Sequence, residues 1–114
     1  MDTAPRLPDS TVAMLVESLT AYSVGSTPNR IGTLTVFESG GQLVGAIDLG
    51  DQENPKAVLK DDAQKVMEVA HLLVQTAIGF DDVMKYVKVS YKDRELLVIP
   101  GEQYIVAAVI DSTE

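Results

Sequence analysis

The sequence predicts an α+β domain in the order α-β-β-α-β-β-β, with one layer of helices packed against a five-stranded antiparallel sheet. Three observations carry that expectation. The stretch from Asp61 to Gly79 repeats apolar residues at steps of three and four, the spacing of one helix face. Ser39-Gly40-Gly41 separates two runs with β-branched, alternating character. Beyond the helix come three apolar runs, broken at Lys92-Asp93 and at Pro100-Gly101-Glu102.

Residues 1–8 hold two prolines and no periodicity, and read as a flexible lead to a single domain over residues 9–114. Asp9 or Ser10 suits the cap of a first helix, whose face is Val12, Leu15, Val16 and Leu19, with Met14 beside it. Residues 23–29 form a turn by composition. The hairpin that follows pairs residues 31–38 with 42–49. Its first strand is apolar on both faces, as a central strand covered on one side by helices would be, though it could also lie at the sheet edge or beside it.

Residues 50–61 read in two ways. Asn54-Pro55 suits a cap and first helical position, giving a short turn of helix over 55–59 that joins the long helix. Alternatively the helix starts at Lys60 or Asp61, with Val58 and Leu59 tucked into an ordered loop. Ala63, Val66, Ala70, Leu73, Val74 and Ala77 make its main stripe, and a left-handed Gly79 ends it. Residues 80–86 lead out of the helix. Val87, Val89 and Tyr91 share one face of the third strand, and Leu97–Ile99 reads as an inner strand. Tyr104–Ile110 is nearly all apolar and therefore central.

A length of 114 residues and a hydrophobic fraction of 46% fit one domain with an ample core. The chain has no cysteine, which excludes disulfides and thiolate chemistry. No apolar run approaches the roughly 20 residues of a membrane span. The start lacks a basic region followed by an apolar block, so an intracellular setting without a signal peptide is expected. Seventeen acidic residues against nine basic give a net charge of -8, which disfavours nucleic acid or an anionic membrane as a direct partner.

No constellation in the sequence declares catalysis. His71 is the only histidine, and its helical neighbours Met67 and Gln75 supply no base or carboxylate. Asp48, Asp51 and Glu53 do not have the spacing of a calcium loop. Ser39 lacks a nucleophile-elbow pattern, and no glycine-rich stretch ends in Lys-Ser or Lys-Thr. No catalytic residue, metal or cofactor is therefore expected, and the chain reads as a non-enzyme.

What remains is a shoulder on the long helix. Val69 and Leu72 flank the main stripe, and a helix lying on one sheet has no need to bury them. Either the first helix covers them or a partner does, since an uncovered patch of this kind is unusual in a monomer. The candidate partner interface is Val58, Val69, Leu72 and Thr76, together with Leu34 and Val36 of the first strand.

IGTLTVFESGGQLVGAIDL, AHLLVQTAIGF and VKVSYKDRELLVIPGEQYIVAAV resemble the first hairpin, the end of the long helix and the closing meander of the roadblock/longin-like family. The likeness covers roughly residues 30 to 110 and is strongest to the small roadblock subunits of the lysosomal Ragulator adaptor. The segment GDQENPKAVLKDD is longer than the family pattern. The resemblance implies a non-enzymatic scaffold that pairs with another roadblock-like subunit and is wrapped by an adaptor subunit. It further implies that the pair serves Rag-type small GTPases and TOR complex 1 amino-acid signalling. The place of work would be the cytoplasmic face of the lysosome or late endosome, with membrane reached only through a partner. Two other readings stand beside it: a homodimeric roadblock protein acting directly on a small GTPase, and a PAS- or profilin-like binding module. The latter's pocket usually has more aromatic lining than two phenylalanines provide.

Overall fold

A computed structural model of the chain describes residues 2–20, 30–50, 53–79 and 85–111. The readings for residues 23–29, for Asp51 and for the helix exit at 80–84 lie outside the described residues.

Strand position follows apolar content. Five strands, β1 (Arg30–Glu38), β2 (Gln42–Asp48), β3 (Val87–Tyr91), β4 (Arg94–Pro100) and β5 (Tyr104–Asp111), form one antiparallel sheet in the order β2-β1-β5-β4-β3. The nearly all-apolar β5 takes the middle, where Ala108 lies between Leu34 and Leu97. β1 is the second strand, flanked on both sides. The tight turn at Ser39–Gly41 needs its glycine: Gly41 has φ +97°, a conformation that costs a side-chain-bearing residue dearly.

The two helices lie on opposite faces, not in one layer. α1 (Asp9–Thr20) presents Val12, Leu15, Val16 and Leu19 to a cluster that includes Leu34, Val36, Ile47, Leu97 and Ile110. α2 (Lys60–Ile78) presents Met67, Ala70 and Val74 to Phe37, Val98, Ile105 and Ala107. Adjacent residues such as Leu97 and Val98, or Ala107 and Ala108, divide between the two clusters because strand side chains alternate. Apolar patterning decides which face of a helix is buried, but not which side of a two-faced sheet receives it.

Register makes the layers concrete. Under α2 a cross-strand row runs Ala46, Thr35, Ala107, Val98, Val87 from β2 to β3. On the α1 side the row runs Ile47, Leu34, Ala108, Leu97, Lys88, so the apolar surface stops at the lysine on β3. A register shift near Val36/Phe37 makes Val44 an extra residue on β2. Leu43 and Ala46 can then both serve the α2 side, although they are three residues apart.

Several local expectations change. Residues 55–59 do not form the expected helical turn: Leu59 is extended (φ -60°, ψ 139°), Lys56 bridges to Asp48, and α2 begins at Lys60. Asp61 and Asp62 occupy its first turn, where carboxylates favour the helix dipole. Gly79 is right-handed (φ -64°), its N–H closing on Thr76. Asp9 and Ser10 lie inside α1, whose Val12 N–H reaches the Pro8 carbonyl at 3.0 Å. Residues 2–7, expected as a lead, pair first with residues 58–60 and then with Ala46 of β2, with Ala4 and Leu7 buried in the core. No helix is long and apolar enough to cross a membrane among the described residues.

Ala70 is fully buried at the contact between α2 and the sheet. We predict that Ala70→Leu overpacks this contact and costs about 1–3 kcal/mol. The denaturant midpoint measures it; an unchanged midpoint would show that the contact is not tight.

Candidate interaction surface

α2 turns its narrowest side chains down and leaves a broad flank outside. Ala63, Met67, Ala70 and Val74 are buried, and Val66 and Leu73 are half-buried beside them. One step further round the same side come Val69, Thr76 and Leu72. All three are exposed, Val69 at 52% and Leu72 at 66%. α1 does not cover them, because it lies across the sheet.

β3 adds exposed apolar residues on the α2 side of the sheet. Val87 packs into the α2-side cluster, so Val89, two residues on, faces the same side, and it is exposed. Tyr86, just before the strand, is exposed as well. Among the described residues β3 pairs only with β4, leaving its outer backbone row open. Lys88 on the other face pairs with Glu95 at 3.3 Å, and a lysine on an edge strand discourages indiscriminate pairing.

The six residues read as a candidate interface therefore separate. Val69, Leu72 and Thr76 share the exposed α2 flank. Leu34 (0% exposed) and Val36 (8%) face inward under α1, on a strand flanked by β2 and β5. Val58 (9%) is packed with Ala4, Ala46 and Ala63. These three are committed to the core and cannot serve as a free surface. The sequence reading missed Tyr86, Val89 and the open edge of β3. The alternation of Val87 and Val89 was visible, but only the strand order reveals that β3 is outermost.

The residues weighed for chemistry have structural surroundings. The His71 ring meets Phe37 edge-on, with centroids 6.3 Å apart and planes at 81°. A Cβ added at Gly41 would lie 3.4 Å from His71 Cε1, so the hairpin turn rests against the imidazole. Asp48 Oδ1 accepts the Gly50 N–H at 2.8 Å, and Ser39 Oγ donates to the Glu102 carbonyl at 3.3 Å. Among the described residues no three His, Asp or Glu side chains gather as metal ligands would. An open groove of about 600 Å³ lies beside the start of α2, and Lys60 is the one charged side chain among its described lining residues. It offers no acid–base pair.

Strand order, helix placement and open edge together match a roadblock/longin-like α+β fold, an architecture consistent with a protein-interaction module. No protein-family model matches the chain, and no curated protein matches it.

Two neighbouring glycines give a paired test of the hairpin. Gly41→Ala places a side chain at positive φ and against His71, whereas a Cβ at Gly40 meets nothing within 4 Å. We predict a loss of about 1 kcal/mol or more for Gly41→Ala and a near-neutral Gly40→Ala. Thermal unfolding of the two variants side by side measures the difference; equal melting would remove the His71 contact from the account.

Proposed function

We propose that this chain is a non-enzymatic scaffold subunit that pairs with a second chain of roadblock-like architecture. The observation that carries the reading is the exposed Val69–Leu72–Thr76 flank of α2 on the same sheet face as the unpaired strand β3. A partner can bury the apolar flank while its own edge strand exchanges N–H···O=C bonds with β3. Such an interface joins the area term of side-chain burial to the directional term of strand addition. Tyr86 and Val89 belong to the proposed interface with the three helix residues.

The resemblance carried by the hairpin and the closing meander supports a more specific assignment, to a role like that of the fourth Ragulator subunit. The chain would then pair with another roadblock-like subunit and be held by a wrapping adaptor subunit. It would support Rag GTPase and TOR complex 1 signalling from the cytoplasmic face of the lysosome or late endosome.

The test is Val69→Lys/Leu72→Lys. Both side chains are exposed in the isolated chain, so the fold should lose no more than about 0.5 kcal/mol per site. In a paired seam the lysines would be desolvated without partners, at a cost of several kcal/mol, and 1.4 kcal/mol already changes affinity tenfold. The expected result is a protein with the circular dichroism of wild type that no longer co-purifies from its native cells with a roadblock-like subunit. Wild-type recovery of that subunit by the folded variant would refute this seam. A purified chain that sediments as a dimer, and loses it in the variant, would point instead to the homodimeric reading.

A further inference from the structure

The two edges of the sheet are treated differently. β3 has no outer partner among the described residues, whereas the chain itself occupies the outer row of β2. Ala46 donates its N–H to the Pro5 carbonyl at 2.9 Å, and Asp48 and Lys56 exchange two bonds at 2.8 and 2.9 Å. The covering segments are tied to each other by Ala4 N–H to the Val58 carbonyl at 2.8 Å and Lys60 N–H to the Asp2 carbonyl at 2.9 Å. Ala4 packs on the α2 side with Ala46, Val58 and Ala63, while Leu7 joins the α1-side cluster. Residues 2–7 thus close both layers at one edge.

Gly45 permits this close fit. A Cβ there would lie 2.8 Å from the Pro5 carbonyl oxygen and 3.0 Å from Leu7 Cδ2. The covering segment is also a poor template for a further strand. Its contacts to β2 and to residue 59 are isolated bridges, at Thr3 and Arg6, and the prolines Pro5 and Pro8 have no N–H to contribute to a regular ladder.

We propose that residues 2–7 are an intramolecular guard, keeping β2 from accepting the edge strand of a second copy of this chain. An unguarded β2 exposes backbone groups that recruit other strands. The exposed β2 of one copy and the open β3 of the next are different surfaces. Their contact is head-to-tail, so copies add one after another into species larger than a dimer, as a ring where the rotation closes and as an open filament where it does not. With the guard seated, pairing is confined to the β3 side, and one edge per copy cannot propagate a chain of copies. The guarded edge lies opposite the α2 flank, but the contact that the guard prevents uses the same open β3, so the inference rests on β3 being an available edge.

The experiment is run in two parents, the unmutated chain and the Val69→Lys/Leu72→Lys chain, so that loss of association through α2 is told apart from loss of the β3 edge. Two variants are made in each: deletion of residues 2–7, and Gly45→Val in the full-length chain, which drives the guard off without removing it. Sedimentation velocity is read across a wide concentration range, with circular dichroism as the folding control. The expected result is a folded variant forming concentration-dependent species larger than any its parent forms. A peptide of residues 2–8 added to the deletion variant should return it toward the parent's sedimentation. If the deletion unfolds, Gly45→Val decides. A folded variant that sediments like its parent at every concentration, in both parents, overturns the proposal. So does unfolding of both variants, which would make the segment part of the folding core. In the unmutated chain, an Ala46 amide that exchanges as fast as a free edge amide overturns it as well.

Discussion

Alanine sets how closely α2 approaches the sheet. Ala63 and Ala70 on the helix and Ala46 and Ala107 on the strands are all fully buried. Small side chains on both surfaces allow the helix to settle, and the dispersion attraction between the two layers depends on that fit. Met67 and Val74 fill the space beside the alanines, and Phe37, Ile105 and Val98 complete the layer. Once the helix is seated this way, residues one step round its circumference stand clear of the sheet. The exposure of Val69 and Leu72 is thus a consequence of the core, not a separate feature of the surface.

The opposite face is built from larger parts. Leu7, Leu19, Ile31, Leu34, Ile47 and Leu97 are buried there with α1 as the lid. Its apolar row ends at Lys88, so β3 has core on the α2 side and a charged group on the other. This outermost strand is anchored by its pairing with β4 and by partly buried Val87, while its outer backbone stays open among the described residues. Buried polar groups do not loosen this arrangement. Thr35 lies in the row under α2, and among the described residues no buried side-chain nitrogen or oxygen lacks a hydrogen-bond partner.

Much of this was legible from residue pattern. The unbroken apolar run of β5 could only be central, and the stripe of α2 could only face a sheet. The shoulder at Val69 and Leu72 was visible as apolar circumference in excess of what one sheet covers. Other features depend on contacts far apart in sequence. Leu34 and Val36 are apolar on a strand apolar on both faces, and nothing local says that both are enclosed. Ala4 and Leu7 sit in a proline-containing stretch without periodicity, so their burial depends on β2 and on residues 56–59. Residues 56–59 look helical by Asn54-Pro55, yet their backbone groups find better partners in Asp48 and residues 2–4. Tertiary hydrogen bonds outweighed the local helix signal.

The strand order has a consequence for how the chain is made. A ribosome builds β1 and β2 first and β5 after the other four strands, yet β5 is the strand that joins the two halves of the sheet. Leu34 meets Ala108 only after more than half of the polypeptide has been added between them. Until then the β1–β2 hairpin has one unfilled side, and the apolar residues of both its faces have no complete floor to rest on. Long-range pairing of this kind is slow, and nascent chains expose sticky surface while they wait. The element that makes the finished sheet continuous therefore leaves the unfinished one open until the last strand is made.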